Sequence, residues 1–349
     1  MLDSDDARHS VAPHMKQWQL GRQPGWQYLE LTEQSGPLPR AGEVLVQMKA
    51  ASLNYRDTLV ATMPERFQPG RVPLSDGAGE VIAVGEGVTR CKVGDRVAGS
   101  FFRDWISGRF DMRYHQCALG GSLDGVLREQ LVFPEHGLVH LPEGYSFEQA
   151  ATLPCAGLTA WYALVVRGEF QPGDTVLVLG TGGVSVWGLQ IATAAGGRVI
   201  VTSSSDEKLA QAKALGACET INYKTTPDWE KEVLRLTNQR GVDHVLEVGG
   251  PGTLGKSLAS VAAAGHVAQI GVLTGFDPAP TSLFPLVSKN ARMNGIYVGH
   301  REAFEQFITF LETTKINPVI DRVFALDEAR EAYAHMASGA HFGKVVIAI

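Results

Sequence analysis

The sequence predicts an α/β protein with two domains, and two observations lead to this fold class. Between residues 154 and 290, strands alternate with helices, which is typical of a doubly wound parallel sheet. Residues 15–153 instead contain short strands separated by glycine turns, which indicates an antiparallel, barrel-like β domain. The length of 349 residues is ample for two hydrophobic cores.

The β domain is predicted to occupy residues 15–153 and to be completed by residues 291–349. Its clearest strands are 43–49, 80–85 and 95–99. The tail is predicted to contain a strand near 295–298, helices near 301–313 and 327–338, and a final strand at 344–349. We expect this tail to pack on the first domain, so that the parallel-sheet domain, residues 154–290, is an insertion.

The parallel-sheet domain is predicted from short apolar runs that alternate with helical stretches. The predicted strands are 175–179, 198–202, 243–248 and 266–271. The predicted helices are 184–195, 206–216, 228–238 and 252–264.

Composition restricts the function classes. Residues 1–14 are polar and lack the apolar core of a signal peptide, so we expect a disordered extension there. The net charge of −6, without a basic cluster, argues against a nucleic-acid partner. No apolar run reaches the ~18 residues of a membrane span, so no membrane association is predicted. Four scattered cysteines indicate reduced thiols and a cytoplasmic protein.

A glycine turn follows the first strand of the parallel-sheet domain. The apolar strand ends at Gly180, and glycines recur at Gly182 and Gly183 before the helix that starts at Val184. Such glycines allow a sharp turn and a close backbone approach to a pyrophosphate, which the helix N-terminus stabilises. Ser185 replaces the third glycine of the usual pattern, and a purely structural turn is the alternative. The turn predicts a dinucleotide site.

The end of the second parallel strand predicts which dinucleotide binds. An NAD enzyme usually has an acid there, about 20 residues past the glycines. This chain has Ser203, Ser204 and the nearby Lys208, which suit a 2′-phosphate, and Tyr223 lies within reach of the adenosine end. NADP(H) is therefore favoured. In the alternative, Lys208 is a solvated lysine on a helix capped by a serine, and Asp206 binds the ribose of NAD(H).

Five motifs, in the right order, resemble the medium-chain dehydrogenase/reductase superfamily over almost the whole chain after Met15. The motifs are Ala51-Ser-Leu-Asn54-Tyr55-Arg56-Asp57, Ser75-Asp76-Gly77-Ala78-Gly79-Glu80-Val81, Val93-Gly94-Asp95-Arg96-Val97, Ala151-Thr-Leu-Pro-Cys155-Ala-Gly157-Leu-Thr159-Ala160-Trp161 and Gly180-Thr-Gly182-Gly183-Val. The chain looks like the zinc-free quinone oxidoreductase and alcohol-dehydrogenase-like branch. The resemblance implies a GroES-like β-barrel catalytic domain, a Rossmann cofactor domain and an active site in the cleft between them.

The resemblance also bears on zinc. Zinc-dependent relatives hold the catalytic metal with a cysteine, a histidine and a second cysteine. Here the corresponding positions are Asn54, Ser75 and Ala156, with Cys155 one residue away. Neither Asn54 nor Ser75 is a normal zinc ligand, so no metal is predicted. A site formed by Cys155 with His115, His136 or His140 is the remaining alternative, and their spacing does not support it.

Without zinc, a hydrogen-bond donor must polarise the acceptor of the hydride. Asn54 carries an amide donor, Arg56 carries a guanidinium, and Tyr55 is a proton donor or a pocket wall. The alternatives are that Asn54 holds a turn, that Arg56 pairs with Asp57 or Asp76, and that Tyr55 only packs. The Gly-x-Tyr segment of related enoyl reductases is absent, which weakens a 2-enoyl thioester as substrate.

Further cofactor contacts are implied by the resemblance. The residues are Thr159, Val248, Gly249, Ile270, Gly271, Leu273, Val298, Gly299 and Lys344. Thr159 is alternatively a helix cap, and the glycines are alternatively simple turns. The aromatic segment 101–110 is either a lid over an apolar substrate or a packed hydrophobic cluster.

The predicted function is zinc-independent, NADPH-dependent hydride transfer to a quinone, enone, aldehyde or ketone. An alcohol dehydrogenase that works in the oxidative direction is one alternative. A non-catalytic NADPH-binding sensor or structural protein is another. Residues 287–299 are expected to supply an edge strand for a homodimer, as in relatives, with a monomer as the alternative.

Overall fold

The computed structural model describes residues 14–349. Most of the predicted disordered extension, residues 1–13, lies outside the described residues, and the first strand already includes residue 14. The strands are β1 (His14–Gln19), β2 (Glu30–Ser35), β3 (Glu43–Leu53), β4 (Asp76–Val84), β5 (Arg96–Gly99), β6 (Gln130–Pro134), β7 (Leu138–His140), β8 (Thr175–Leu179), β9 (Arg198–Ser203), β10 (Glu219–Asn222), β11 (Val242–Glu247), β12 (Val261–Gln269), β13 (Arg292–Gly295), β14 (Ile320–Ala325) and β15 (Lys344–Ala348). The helices are α1 (Tyr55–Thr62), α2 (Phe147–Ala150), α3 (Leu158–Trp161), α4 (Gly183–Ala194), α5 (Asp206–Ala214), α6 (Trp229–Leu236), α7 (Pro251–Ser260), α8 (Phe284–Ser288), α9 (Arg301–Thr314) and α10 (Ala329–Ser338).

Strands β8 to β13 form the predicted doubly wound sheet. Its six strands are all parallel and lie in the order β10-β9-β8-β11-β12-β13. The order reverses between β8 and β11, and ligands of such sheets bind at the carboxyl ends of the strands at this switch point. Strand β8 is apolar and buried because helices cover both faces of a parallel sheet. The predicted α/β fold class is confirmed.

The other large sheet contains seven strands from both ends of the chain. Strands β14, β15, β3, β4, β5 and β7 follow one another, and β6 pairs with β3. Strand β15 pairs antiparallel with β3, with Val345 opposite Leu53. The parallel sheet is therefore inserted between two parts of this sheet, and Lys344, at the start of β15, lies beside the end of β3.

Three predicted boundaries are wrong. The helix predicted to run to residue 264 ends at Ser260, because Val261 already pairs with β11. The alanines that follow favour a helix by propensity, and strand pairing overrides it. The strand predicted near 295–298 is β13, which ends at Gly295 and pairs with β12. The parallel sheet thus extends five residues past the predicted domain boundary at 290.

A long apolar helical segment joins the two domains. It runs over Phe147–Val166 and includes α2 and α3. By length and composition alone it is the one segment within residues 14–349 that could cross a membrane, but 78% of its apolar window is buried inside the fold. It serves here as a core helix. All four cysteines lie within the described residues and carry free thiols.

Candidate active site

The glycine turn after β8 leaves room for a ligand. Gly180 has a positive φ of 74°, and a Cβ at Gly180 or Gly182 would meet no atom within 4 Å. Helix α4 begins directly after the turn, and its N-cap Gly182 provides no side chain for the first N–H groups. The open backbone and the uncapped helix N-terminus suit a pyrophosphate. Ser185, at the third glycine position, is buried and donates to the Leu179 carbonyl at 2.7 Å.

The serines at the carboxyl end of β9 lie on the strand next to β8, at the same edge of the parallel sheet as the glycine turn. Ser203 is buried, and Ser205 caps α5 by accepting a hydrogen bond from the Lys208 N–H at 3.3 Å, as the alternative interpretation predicted. The Lys208 ammonium donates to the carbonyls of Gly339 at 2.7 Å and His341 at 3.0 Å, and burial lowers its pKa. Lys208 is therefore not a freely solvated lysine. Its charge lies against the loop that leads into β15.

Asp206, the acidic residue near the carboxyl end of β9, is hydrogen-bonded within the protein. Asp206 accepts a hydrogen bond at 2.7 Å from the side-chain amide of Asn222, the last residue of β10. Tyr223 follows directly, is 42% exposed and donates its N–H to the Ser203 carbonyl. The residues predicted to select the cofactor thus lie together at the carboxyl ends of β9 and β10.

The loop before β15 is hydrogen-bonded to the glycine turn. The Gly343 N–H donates to the Thr181 carbonyl at 3.0 Å, and Gly182 forms a parallel bridge with Gly343. A Cβ at Gly183 would lie only 2.6 Å from Cδ of Lys344. The lysine stem therefore requires glycine at position 183, and it packs under the turn.

Glu247, which was not predicted from the sequence, organises the carboxyl end of β11. This residue is fully buried, and its carboxylate accepts hydrogen bonds from four groups. The donors are the N–H groups of Gly249 (2.7 Å) and Gly250 (2.9 Å) and the hydroxyls of Thr253 (2.6 Å) and Ser257. The sequence signal that could have identified Glu247 is an acidic residue at the end of an apolar strand, shortly before two glycines. Glu247 fixes the loop that carries the predicted cofactor residues Val248 and Gly249.

The loop after β12 is hydrogen-bonded to the backbone at the carboxyl end of β11. Ile270 and Gly271 donate their N–H groups to the Glu247 carbonyl at 2.8 and 3.2 Å, and Leu273 donates to the Val248 carbonyl at 3.3 Å. Leu273 is 52% exposed. The structure thus brings the predicted residues after β11 and β12 together, and their contact with the cofactor stays a prediction.

Three predicted cofactor residues lie on the long helix or against it. Thr159 is buried within α3. Val298 has a positive φ of 58°, and a Cβ at Gly299 would lie 2.9 Å from Cδ2 of Tyr162. Packing of the loop against the helix is therefore sufficient to require glycine at position 299. A cofactor contact for these residues also stays a prediction.

Asn54 lies at the start of α1, opposite the glycine turn. Its backbone N–H donates to the Asp57 carboxylate at 2.8 Å. Its side-chain oxygen accepts a hydrogen bond from the Lys344 ammonium at 2.6 Å. Its side-chain Nδ2 is buried and makes no hydrogen bond of normal geometry to a described residue. It lies close enough to the Asp76 carboxylate to favour the charged form of that acid, which opposes the effect of burial on the Asp76 pKa. Asn54 therefore holds a turn, and its NH₂ group, which carries two hydrogens, can direct one of them to a ligand.

Buried charge surrounds this asparagine. Asp76 accepts hydrogen bonds from the Ser75 hydroxyl at 2.6 Å and from the Cys155 N–H at 2.9 Å. Burial raises the pKa of Asp76 and of the Cys155 thiol, and it lowers the pKa of Lys344. Burial also raises the pKa of Asp57 to about 6, although Arg56 opposes this shift. These groups are polar and buried, so the low local dielectric strengthens the hydrogen bonds among them.

The guanidinium of Arg56 is bound by other groups of the protein rather than being free to act as a donor to a ligand. Its guanidinium donates to the Leu119 carbonyl at 2.6 Å, lies 4.7 Å from the centre of the Phe101 ring and stands 3.7 Å from the Asp57 carboxylate. The structure thus favours the alternative in which Arg56 pairs with Asp57 over the predicted donor role. Tyr55 is 38% exposed on α1 and is accessible to a ligand.

The residues at the zinc-ligand positions do not fit a catalytic zinc. The oxygen of Asn54 faces an ammonium, and the Ser75 hydroxyl is directed to Asp76. Within residues 14–349 no group of three or more His, Cys, Asp and Glu side chains is arranged to hold a metal. His136 and His140 contact Asp104 and Asp95, and His115 packs among aromatic rings, so none of them joins Cys155 in a site.

The aromatic segment 101–110 is packed into the fold. Phe101, Phe102 and Trp105 are each at most 2% exposed. The carbonyls of Trp105 and Ile106 accept hydrogen bonds from the first N–H groups of α9 at 3.0 and 2.9 Å. The structure supports the packed-cluster alternative over a lid for this half of the segment.

Two family models match the chain. The model of the alcohol dehydrogenase GroES-like domain matches residues 40–143, and that of the zinc-binding dehydrogenases matches residues 183–313. A zinc-type alcohol dehydrogenase-like protein of Schizosaccharomyces pombe is 48% identical over 88% of this chain and 91% of its own length. A quinone oxidoreductase of Pseudomonas aeruginosa is 32% identical over 95% of this chain and 99% of its own length.

Solved structures agree with these relatives. A candidate alcohol dehydrogenase of Sinorhizobium meliloti 1021 is 43% identical, with a TM-score of 0.91 over 97% of this chain and 99% of that one. A structure described as an NAD-dependent alcohol dehydrogenase is 34% identical, with a TM-score of 0.86 over 96% and 99%. With its GroES-like domain and its parallel-sheet cofactor domain, the chain belongs to the medium-chain dehydrogenase/reductase superfamily, whose members are oxidoreductases that bind a nicotinamide dinucleotide.

Proposed function

We propose that the protein is a zinc-independent oxidoreductase that reduces a quinone, enone, aldehyde or ketone with NADPH. The observation that carries this proposal is the side-chain amide of Asn54. Its Nδ2 is a buried donor that makes no hydrogen bond of normal geometry within residues 14–349, with the Asp76 carboxylate nearby, and the motif resemblance assigns Asn54 to the first metal-ligand position of zinc-dependent relatives. A donor aimed at an oxygen that gains negative charge replaces a Lewis acid in function.

The chain supplies binding, orientation and a buried polar environment for the reaction. The glycine turn at 180–183, the loop held by Glu247 and the residues after β9 and β10 are the groups that would hold the cofactor. The nicotinamide, when bound, supplies the hydride. Asn54 donates to the acceptor oxygen through Nδ2, and the phenol of Tyr55 delivers the proton or lines the pocket. Burial strengthens the amide donor, because electrostatic interactions are stronger where the local dielectric is low.

The cofactor is proposed to be NADPH rather than NADH. Ser203, Ser204 and Lys208 offer hydroxyls and a positive charge at the end of β9, where an NAD enzyme usually has an acid. Asp206 supports NADH as the second candidate, because it is exposed at the same edge and the related structure at 34% identity is described as NAD-dependent. The hydrogen bond from Asn222 occupies one oxygen of Asp206.

Replacing Lys208 with glutamine is expected to weaken NADPH binding by about 10- to 100-fold, because a charge-assisted bond to the 2′-phosphate is lost. The dissociation constants of NADPH and NADH are measured for both proteins by the quenching of intrinsic fluorescence. The matched control is Lys213→Gln, which removes the same charge from an exposed position on the same helix.

The affinity for NADH distinguishes a phosphate contact from a structural role. The proposal predicts that Lys208→Gln changes NADH binding by no more than about twofold. An equal loss for both cofactors would mean that Lys208 only fastens the loop at 339–341 and would contradict its role in selection. An unchanged affinity for NADPH would also contradict it.

Two alternative functions would give different results in a turnover assay that measures the oxidation of NADPH and the reduction of NADP⁺. An alcohol dehydrogenase in the oxidative direction would reduce NADP⁺ with alcohols more efficiently than it oxidises NADPH with any carbonyl. A sensor or structural protein would bind NADPH without oxidising it in the presence of any acceptor.

We propose a cytoplasmic homodimer that pairs through β13, because this strand is an edge of the parallel sheet and Val287, in the helix that precedes it along the chain, is 76% exposed. Light scattering of the purified protein would reveal a monomer instead.

A further inference from the structure

The amide of Asn54 can occupy its site in two orientations that exchange oxygen and nitrogen. An ammonium group has only donors, so it can contact only the oxygen of an amide. Lys344 Nζ lies 2.6 Å from Oδ1 of Asn54. This contact leaves Nδ2, with its two donors, on the other side of the amide, where the Asp76 carboxylate lies nearby and no hydrogen bond of normal geometry is formed with a described residue. The contact with Lys344 thus fixes which end of the amide carries the available donor.

The side chain of Lys344 runs from the glycine turn to the start of α1. Lys344 begins β15, its stem packs against Gly183 of the glycine turn, and its ammonium also donates to the carbonyl of Leu53 at the end of β3. The resemblance implies a cofactor contact for Lys344, which stays a prediction. The Lys344 ammonium is directed to the start of α1, where it contacts Asn54.

The environment of Lys344 is unusual for a structural lysine. The residue is 3% exposed, and none of the ion pairs found within residues 14–349 includes it. A buried charge without a close counter-ion is costly, and such groups are concentrated at functional sites. The two carboxylates whose charge favours its ammonium form, Asp76 and Asp57, act from beyond ion-pair distance. The hydrogen bonds of Lys344 go to Leu53 and Asn54.

We propose that Lys344 is a positioning residue, which fixes the amide of Asn54 with its donors toward the acceptor oxygen and polarises that amide with its charge. This inference rests on the proposed function, since it needs Asn54 as the donor. It assigns to Lys344 an effect on catalysis rather than on cofactor binding. The amide donor gains strength because its oxygen is held by a cation.

The test is a double-mutant cycle between positions 344 and 54. Lys344→Met and Lys344→Arg are prepared in the wild-type and the Asn54→Ala backgrounds. In wild type, Lys344→Met is expected to lower kcat by about 10- to 100-fold, as for other residues that orient a catalytic group. The KM of the acceptor and the Kd of NADPH should stay within about twofold. Lys344→Arg should restore part of kcat, because it keeps a cationic donor.

The effects of the substitutions at positions 344 and 54 on kcat should be coupled. In the Asn54→Ala background, Lys344→Met should change kcat by no more than about twofold, because the group that it positions is gone. An equal loss in both backgrounds would overturn the inference, as would a loss of NADPH affinity with unchanged kcat. If Asn54→Ala itself is fully active, the proposed function of Asn54 fails. If Asn54→Ala is impaired while Lys344→Met is fully active, only the inference fails.

A second readout does not depend on turnover. The chain has six asparagines, so selective ¹⁵N labelling gives few side-chain amide signals, and the loss of one signal in Asn54→Ala assigns Asn54. Lys344→Met should shift this signal, and Lys344→Arg should shift it less. An unchanged signal in Lys344→Met would overturn the inference. If Lys344→Met does not fold, Lys344→Gln takes its place in both experiments, since it removes the charge and retains an amide donor.

Discussion

Replacing Asn54 with aspartate is expected to lower kcat by about 10²- to 10³-fold, the usual effect of losing one donor to a developing oxyanion. The carboxylate has the shape of the amide, and one of its oxygens can still accept the hydrogen bond from Lys344. The other oxygen replaces the donor Nδ2, so it repels the negative charge that the amide would stabilise. Steady-state kinetics with NADPH and the best acceptor measure the loss.

The same charge change elsewhere provides the control for this variant. Asn238→Asp alters an exposed asparagine in the loop between α6 and β11 and should leave kcat unchanged. The NADPH affinity of Asn54→Asp should stay near that of wild type, because the glycine turn is intact. Full activity of Asn54→Asp would show that the amide donor is not used, and the proposed mechanism would then be wrong.

Replacing Glu247 with alanine is expected to lower the free energy of unfolding by at least ~3 kcal/mol, because each unpaired buried donor costs about 1–3 kcal/mol. Four donors lose their partner in this variant, and a cavity forms where the carboxylate was. The loop with Val248 and Gly249 also loses its anchor, so the KM of NADPH should rise. Urea unfolding, compared at the same m-value, measures the change in stability.

Two further variants make this result specific. Glu143→Ala removes an exposed glutamate and should have an unfolding midpoint close to that of wild type. Glu247→Gln keeps one acceptor oxygen and should lie between wild type and Glu247→Ala. A midpoint for Glu247→Ala equal to that of Glu143→Ala would contradict the role of Glu247 as the anchor of this loop.

The sequence was sufficient for most of the fold because the central strands of a parallel sheet are buried on both faces. Strands such as β8 are therefore short apolar runs that any periodicity criterion finds. Strand β10 has only one buried residue and was not predicted, and β13 at the sheet edge was misplaced. The residues at 261–264 were assigned to a helix because alanine favours one, whereas pairing with β11 decides their conformation.

The site was only partly predictable, for a related reason. The glycine turn and the motif around Asn54 are local patterns, so their residues could be named from the sequence. The contact between Lys344 and Asn54 joins positions 290 residues apart, and only the pairing of β15 with β3 brings them together. The ammonium of Lys208 was expected near a phosphate, but its hydrogen bonds to Gly339 and His341 depend on a loop that no spacing rule relates to α5.

Hydride transfer is proposed to occur in this protein without a metal, with an amide donor in its place. The most direct measurement is the NADPH oxidation rate with a panel of quinones, enones, aldehydes and ketones, before and after treatment with a chelator, with the zinc content of the same sample determined. We predict turnover of at least one acceptor at a zinc content far below one atom per chain, with no effect of the chelator. One tightly held zinc per chain, with activity that is lost on its removal and restored by its return, would contradict the claim.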